Sequence, residues 1–312
     1  MTTRLFIDGA VGTTGLEIRA RLQGRSEFDL IILDDAQRKD ESARRDALHA
    51  ADIAILCLPD EAAKEAVKLA EGSGTRMIDA SSAHRVAEGW TYGFPELVGH
   101  EAIANAQFVS NPGCYPTGFL GLVAPLVRAG LLPADWPYTV NAVSGYSGGG
   151  HALIDRFEHD PAIAFRAYGL TLGHKHLPEM QTYAGLTHAP VFSPAVVPAH
   201  RGMVVEVPLP LAAMQATGGA DDLRAALAAF YAGSAVVRVA DDTPAEVLLR
   251  QGTAPGDGMA LHVFGSADGT QARLVAVLDN LGKGASGAAI QNLNLMCGLP
   301  EETGLTLGVT PE

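Results

Sequence analysis

The sequence predicts an α/β protein in which a doubly wound parallel sheet is followed by a second domain of mixed α+β structure. Three observations lead to this fold class. Short apolar strands alternate with helical segments over residues 1–113, a glycine-rich turn follows the first strand, and longer strand-like runs dominate after residue 138. The chain of 312 residues is 47% hydrophobic and 18% charged, and it is long enough for two hydrophobic cores.

The composition argues against several classes of function. The formal net charge is −13, and no lysine-rich or arginine-rich run is present, so we expect no binding to nucleic acid or anionic membranes. No apolar stretch approaches the roughly 20 residues of a membrane span, and we expect no leader segment. The three cysteines, Cys57, Cys114 and Cys297, are far apart in the sequence. We therefore expect neither a disulfide framework nor a structural zinc site, and we expect a cytoplasmic location.

The first strand, residues 5–8, leads through a glycine-rich turn into a helix over residues 16–22. Gly9, Gly12 and Gly15 give this turn a GxxGxxG spacing in place of the common GxGxxG. Glycines at such a turn let the backbone approach a pyrophosphate, which the helix N-terminus then stabilises. The pattern indicates a dinucleotide site, although the same glycines could serve only a tight connection between strand and helix.

The second strand, residues 28–33, is followed first by acidic and then by basic side chains. An acid at this strand end binds the ribose hydroxyls of NAD, whereas nearby cations accommodate the extra phosphate of NADP. Asp34 and Asp35 supply the first signal, and Arg38 and Lys39 supply the second. The two cations favour NADP, and the alternative is that they are ordinary solvent-exposed charges.

Polar residues follow the fourth strand, residues 76–79, where the ligand crevice of a doubly wound sheet is expected. Ser81, Ser82 and Arg85 are therefore candidate site residues. Glu96, further along the chain, could be a site carboxylate or a surface charge.

Cys114 lies between a strand at residues 107–110 and an apolar helical run at residues 119–127. The intervening Asn-Pro-Gly has turn chemistry, so the thiol is expected beside a helix N-terminus. Unpaired N–H groups and the helix dipole favour an anion there, and a thiolate is a nucleophile. The alternative is that Cys114 is an inert buried thiol.

The second domain is predicted to contain a mixed, largely antiparallel sheet with helices, and its glycine-dense residues 145–150 are expected to form a loop. His174 and His176, close to a glutamate, could be an acid/base for Cys114, metal ligands or surface groups. Arg201 lies in a turn, where it could bind a carboxylate or phosphate or form an ordinary salt bridge. A last helix at residues 288–296 is expected to return to the nucleotide-binding domain.

Five segments together resemble the N-acetyl-γ-glutamyl-phosphate reductase family, in the shorter of its two sequence types. They are the glycine turn at 9–15, SNPGCYPTG at 110–118, HKHLPE at 174–179, HRG at 200–202 and DNLGKGASGAAIQNLNLM at 279–296. The resemblance implies a Rossmann-type NADP-binding domain formed by residues 1–113 and 284–312. It also implies an inserted α+β domain, residues 114–283, like that of semialdehyde and glyceraldehyde-phosphate dehydrogenases, which serves catalysis and oligomerisation.

The resemblance also implies roles for individual residues. Cys114 would be the nucleophile, and one of His174 and His176 the acid/base, with His176 favoured. The remaining roles would be substrate phosphate or carboxylate binding by Arg201 and Arg85, lining of the site by Ser81, Ser82 and Glu96, pyrophosphate binding by Gly12, Thr13, Thr14 and Gly15, and proximity to the nicotinamide for Asn280, Lys283 and Gly284. The turn after the fourth strand departs from the family pattern, because Ala83 stands where the family has an acid.

The activity that the resemblance implies is NADPH-dependent reduction of N-acetylglutamate 5-phosphate through a cysteine thioester, in arginine biosynthesis. It further implies a homo-oligomer, dimer or tetramer, with no metal. Two alternatives stay open. One is a semialdehyde dehydrogenase for aspartyl or aminoadipyl phosphate, and the other is a catalytically silent NADP-binding sensor.

Overall fold

A computed structural model describes residues 2–308 and divides the chain into two compact units. The first unit consists of Met1–Pro112 with Ala285–Leu305, and the second of Gly113–Gly284 with Thr306–Glu312. Residue 1 and residues 309–312, which the predicted first domain includes, lie outside the described residues.

The described part of the first unit contains a six-stranded sheet in the order β2-β1-β3-β4-β6-β5, and every pairing in it is parallel. Its strands are β1 (Thr3–Asp8), β2 (Phe28–Ile31), β3 (Ile53–Leu56), β4 (Arg76–Asp79), β5 (Thr91–Tyr92) and β6 (Phe108–Ser110). Its helices are α1 (Thr13–Leu22), α2 (Glu41–Ala50), α3 (Asp60–Leu69), α4 (Pro95–Val98), α5 (His100–Ala104) and α10 (Gly287–Met296).

Helices cover both faces of this sheet because its strands are apolar on both sides. Leu5 and Ile7 of β1 pack into a core with α1 and α10, whereas Phe6 points to the opposite core with α2 and α3. All four residues of β3 are buried. Since the strands are parallel, their carboxyl ends lie at one edge of the sheet, and the glycine turn and the polar turn follow there.

The second unit, as far as it is described, contains a seven-stranded mixed sheet in the order β11-β12-β13-β10-β7-β9-β8. Its strands are β7 (Thr139–Gly145), β8 (Arg166–Ala167), β9 (Val191–Val197), β10 (Met203–Leu209), β11 (Val237–Val239), β12 (Met259–Gly265) and β13 (Ala272–Leu278). Its helices are α6 (Cys114–Arg128), α7 (His151–His159), α8 (Leu177–Ala184) and α9 (Ala220–Phe230). Four pairings are antiparallel and two are parallel, which matches the predicted mixed sheet.

Helix α6 is buried along almost its whole length and packs against this sheet. Two small residues permit the close contact, because a methyl group added at Gly118 would lie 2.7 Å from the Val205 side chain, and one at Gly121 would lie 2.6 Å from that of Met259. The first residue of α6 is Cys114. The packing of the helix therefore fixes the position of the thiol.

The structure differs from the sequence prediction in the glycine-dense stretch 145–150. A loop was expected there, but Gly145 ends β7 and the next residues form a short 3-10 turn that leads into α7. Gly150 makes this possible because it adopts φ 71°, which favours glycine. No helix within residues 2–308 is long and apolar enough to cross a membrane.

Candidate active site

A pocket of about 570 Å³ lies in the first unit at the carboxyl ends of β1, β2 and β3. Gly9 and Gly12 line it, as the sequence predicted for the glycine turn. Gly9 has φ +88°, and a methyl group there would lie 2.3 Å from the carbonyl oxygen of Cys57. A methyl group at Gly15 would lie 2.4 Å from the carbonyl oxygen of Gly9, so α1 packs tightly against the turn.

Gly12 differs from its two neighbours in the turn. Its φ is −75°, an ordinary value for any residue, and it caps the N-terminus of α1. A methyl group there would come no closer than 3.6 Å to another part of the protein. Packing within the protein therefore does not require glycine at this position. Glycine would be required if a phosphate group of a ligand came close to the backbone at the N-terminus of α1. Thr13 and Thr14 are the first two residues of the helix.

The end of β2 presents cations to the same pocket. Arg38 lines the pocket and bonds Asp35 at 2.8 Å, and Arg19 reaches the pocket from α1. Asp34 also lines the pocket, but its Oδ1 accepts the backbone N–H groups of residues 36 and 37 at 2.9 and 2.8 Å. Lys39 is exposed and lies outside the pocket lining. The glycine turn and two arginines therefore line the same pocket.

The polar turn after β4 is organised by a buried carboxylate. Asp79 is fully buried, and its Oδ2 bonds the Ser81 hydroxyl at 2.7 Å and His84 Nδ1 at 2.6 Å. The Ser82 hydroxyl donates to Asp60, at 2.7 Å from Oδ2. Both predicted serines thus donate to carboxylates of the same unit. His84 also stacks on Trp90 with ring centroids 4.2 Å apart.

The two other predicted residues of this unit are held by different partners. Arg85 is buried, and its Nε donates to the backbone oxygen of Asn111 at 3.1 Å. Glu96 lies in α4, where its Oε1 accepts a hydrogen bond from the Gln291 side chain at 3.0 Å. Glu96 therefore connects α4 to α10.

In the second unit, Cys114 is the first residue of a 15-residue helix. The sequence prediction of a thiol beside a helix N-terminus is confirmed. Such a position favours the thiolate, because the macrodipole and the N–H groups of the first turn attract an anion. Gly113, immediately before the cysteine, donates its N–H to the Glu179 carboxylate at 3.1 Å. Glu179 is buried, so this contact fixes the chain where the helix begins.

Both predicted histidines pack against the aromatic ring next to the cysteine. The ring centroid of Tyr115 lies 6.4 Å from that of His174 and 6.0 Å from that of His176. The two imidazoles are 4.6 Å apart, and the backbone N–H of His176 donates to His174 Nδ1 at 3.1 Å. His176 is buried and occupies the N-cap position of α8. Burial raises the pKa of the Tyr115 hydroxyl, so this ring stays neutral.

The remaining predicted residues cluster around the end of β13. Arg201 Nη1 bonds Asp279 Oδ2 at 2.9 Å, with both side chains largely buried. Asn280 is buried, accepts the N–H of Gly202 at 2.9 Å and donates to the Ser147 hydroxyl at 3.0 Å. Lys283 is buried as well. Gly284 packs so closely that a methyl group there would lie 2.9 Å from Cys114 Cβ.

Two protein-family models match the chain. The model described as the semialdehyde dehydrogenase NAD binding domain matches residues 4–106, and that described as the semialdehyde dehydrogenase dimerisation domain matches residues 114–280. N-acetyl-gamma-glutamyl-phosphate reductase of Brucella ovis is 51% identical, over 96% of this chain and 100% of that protein. The chain belongs to the N-acetyl-gamma-glutamyl-phosphate reductase family. The reductase 2 of Nostoc sp. is 49% identical, over 97% of this chain and 99% of its own length.

The family inferred from the sequence motifs is thereby confirmed. The match to the NAD binding domain shows that the chain uses a nicotinamide cofactor. The match to the dimerisation domain indicates that the protein associates with itself. Aspartate semialdehyde dehydrogenase II from Vibrio cholerae has the same fold, with a TM-score of 0.71 at 20% identity over 96% of this chain and 99% of that one. The enzyme from Candida albicans, solved with NADP, gives 0.66 at 14% identity over 95% and 99%. These similarities confirm the predicted fold class.

Three groups near the predicted residues were not identified from the sequence. Arg19 was missed because α1 turns it toward the pocket, which depends on how the helix packs. Asp279 and the pair of Asp79 with His84 were missed because their partners are set by the fold. The sequence held one indication of the pair of Asp79 with His84. Ala83 stands where the family has an acidic residue, which marked this turn as unusual.

Proposed function

We propose that the protein reduces N-acetyl-L-glutamate 5-phosphate to N-acetyl-L-glutamate 5-semialdehyde and phosphate, as an enzyme of arginine biosynthesis. The observation that carries this proposal is Cys114 at the start of α6, beside a tyrosine on which two histidines pack. Relatives about half identical over nearly their full length carry the name of this activity.

Cys114 begins the reaction as the nucleophile. Its thiolate attacks the acyl carbon, the bond from that carbon to the phosphate oxygen breaks, and phosphate leaves with the bonding electrons. This gives a thioester on Cys114. NADPH, when bound, would supply the hydride. The thioester carbon on Cys114 accepts it, and the electrons of the carbonyl double bond move onto the oxygen. The carbon–sulfur bond then breaks, the aldehyde leaves and the thiolate is restored, where the N-terminus of α6 stabilises the sulfur anion.

A histidine holds and moves the proton in this scheme. We favour His176, which is buried and occupies the N-cap position of α8, over His174. It would donate a proton toward oxygen as negative charge develops there, and it would take the proton back as the carbonyl double bond re-forms and the thiolate leaves. Glu179, fixed on the backbone of Gly113, keeps α8 in place against the start of α6.

The other assignments belong to the same proposal. Arg201 and Arg85 would bind the substrate phosphate or carboxylate, because a guanidinium forms paired hydrogen bonds to such groups. The residues proposed to line the site are Ser81, Ser82 and Glu96, and those proposed near the nicotinamide are Asn280, Lys283 and Gly284. The domain limits 1–113 with 284–312 and 114–283, a dimer or tetramer, and a cytoplasmic location stay proposals too.

We propose NADPH as the reductant in preference to NADH. Arg38 and Arg19 both line the pocket, and the Asp34 carboxylate is bonded to its own turn. Cations at this position suit the 2′-phosphate, whereas a carboxylate turned to the ribose suits NAD. Lys39 was predicted with Arg38 and would contribute through its charge.

Calorimetric binding of 2′,5′-ADP and of ADP tests the cofactor assignment without any turnover. Replacement of Arg38 or Arg19 by alanine should weaken the binding of 2′,5′-ADP roughly 10- to 100-fold, because a hydrogen bond to a charged group contributes about 1.5–3 kcal/mol. Binding of ADP should change little. Lys39→Ala should have the smallest effect, since this side chain lies outside the pocket lining. Equal weakening of both nucleotides would contradict a 2′-phosphate site.

Reduction of NADP⁺ by N-acetylglutamate 5-semialdehyde, in the presence of phosphate, tests the whole reaction in reverse. Aspartate 4-semialdehyde serves as the competing substrate, and Cys114→Ser as the matched variant. We expect reduction with the first aldehyde only, and none with the variant. Activity with aspartate 4-semialdehyde alone would assign the protein to another acyl phosphate, and activity that survives in Cys114→Ser would refute the thioester.

A further inference from the structure

Asp279 lies directly after β13 and is one of the most constrained carboxylates of the second unit. It is buried, and both of its oxygens are hydrogen bonded. Oδ2 accepts from Arg201 Nη1 at 2.9 Å and from the N–H of Gly256 at 3.3 Å. Oδ1 accepts from the N–H of Leu281 at 2.9 Å. The carboxylate is therefore fixed independently of the arginine, and it can hold the arginine in one orientation.

The ion pair is shielded from water. The side chain of Arg201 is 11% exposed and that of Asp279 is 3% exposed. In such surroundings, loss of the carboxylate would remove an opposite charge from beside a buried guanidinium, and we expect the guanidinium to change its position. The direction of the guanidinium thus depends on the position of Asp279.

The backbone of Asp279 reaches a second part of the site. Its carbonyl oxygen accepts the N–H of Gly284 at 2.9 Å. Gly284 in turn packs against Cys114, where a methyl group would lie 2.9 Å from Cβ. One residue therefore connects the arginine, through its side chain, and the surroundings of the thiol, through its backbone.

The C-terminal segment supports this arrangement from behind. Asp257, next to Gly256, donates its N–H to the backbone oxygen of Thr306 at 2.6 Å, and its carboxylate accepts the N–H of Thr306 at 2.8 Å. These two bonds hold the loop whose Gly256 N–H contacts Asp279.

We propose that Asp279 is a positioning residue, which orients the Arg201 guanidinium for the anionic group of the substrate. This inference rests on the proposed function, in which Arg201 binds that group. It requires the two residues to act as one unit. Removing the carboxylate should then have little effect once the arginine has been removed.

A double-mutant cycle with Asp279→Asn and Arg201→Gln tests the proposal. Asparagine keeps the size of the side chain but turns an amide toward the guanidinium. In the wild-type background we expect Asp279→Asn to raise KM for N-acetylglutamate 5-semialdehyde at least ~10-fold, with kcat changed less than ~3-fold. In the Arg201→Gln background the same change should alter KM less than ~2-fold. Additive effects on KM would overturn the proposal.

Glu27→Gln is the control for a general loss of an ion pair. Glu27 bonds Arg25 at 2.9 Å in the first unit, with side chains 35% and 10% exposed. It should leave KM unchanged. Asp279→Glu keeps the charge and provides a second variant if asparagine prevents folding. Asp279→Glu should raise KM less than Arg201→Gln does, because the charge beside the guanidinium is kept. An increase in KM as large as that of Arg201→Gln would overturn the proposal.

Failure of the proposed function gives a different result. It would appear as absence of turnover by the wild type with the N-acetylated aldehyde. Calorimetric binding of N-acetyl-L-glutamate to the same four proteins then decides the positioning role. Coupling between the two substitutions in the dissociation constant supports the role, and additivity or absence of binding refutes it.

Discussion

Substitution of alanine at two glycines of the same turn should separate folding from cofactor binding. At Gly15 an added methyl group would lie 2.4 Å from the Gly9 carbonyl oxygen and 2.9 Å from the Ala10 Cα. Both neighbours are backbone atoms, so the turn itself must shift. At Gly12 the nearest atom is 3.6 Å away, at ordinary contact distance, and the backbone angle suits any residue. Packing within the protein therefore penalises only the first substitution.

The expected sizes follow from these contacts. Overpacking of a rigid site costs about 1–3 kcal/mol, so Gly15→Ala should lower the melting temperature by roughly 2–4 °C for each kcal/mol. Gly12→Ala should change the free energy of unfolding by less than about 1 kcal/mol, because the fit is unstrained. If a pyrophosphate contacts the Gly12 backbone, the added methyl group would clash with it in the complex at the same cost of about 1–3 kcal/mol. This cost would weaken the binding of NADPH roughly 5- to 150-fold.

Thermal unfolding without ligand and a fluorescence titration with NADPH measure the two effects on the same samples. Gly12→Ala should melt like the wild type and bind NADPH poorly, and Gly15→Ala should melt earlier. Gly12→Ala that binds NADPH with wild-type affinity would show that the pyrophosphate does not approach this turn. An equal loss of stability in both variants would refute the steric distinction.

Two further predictions concern the second unit and its thiol. Burial, with the nearby carboxylates, raises the pKa of Cys57 to about 12, and burial also raises the pKa of Cys297, so both thiols stay protonated at neutral pH. Iodoacetamide should therefore alkylate Cys114 fastest. Mass spectrometry that finds another cysteine modified first would contradict this prediction. His176→Asn should lower kcat about 10²- to 10⁴-fold and His174→Asn much less, as measured by steady-state kinetics, and the reverse order would exchange their roles.

The first unit could be predicted well from the sequence because its signals are local. The glycine turn after β1 and the all-apolar β3 each require only a few neighbouring residues to be recognised.

In the second unit, helix α7 was missed, because residues 145–150 are rich in glycine and glycine alone does not distinguish a loop from the start of a helix. The Gly150 backbone angle, which decides the outcome, depends on the surrounding structure.

The candidate site was predicted less completely, because the chemistry of its side chains depends on distant partners. The residue types were recognisable, but their hydrogen bonds were not. Ser81 and Ser82 were expected as ligand contacts, and in the structure their hydroxyls donate to Asp79 and Asp60. Arg19 appeared in the sequence as one more charged helix residue, and only the packing of α1 against the sheet turns it to the pocket.

The contact of Arg201 with Asp279 shows how the register of a sheet decides such partners. The two residues are 78 positions apart. Strands β10 and β13 pair antiparallel with Met203 opposite Leu278, so the residues just before β10 and just after β13 emerge at the same end of the sheet. A shift of one residue would turn the pairing side chains to opposite faces and separate the ion pair. The arginine turn and the DNL segment are thus two ends of one ladder, and their side chains meet because apolar residues within the strands fix the register.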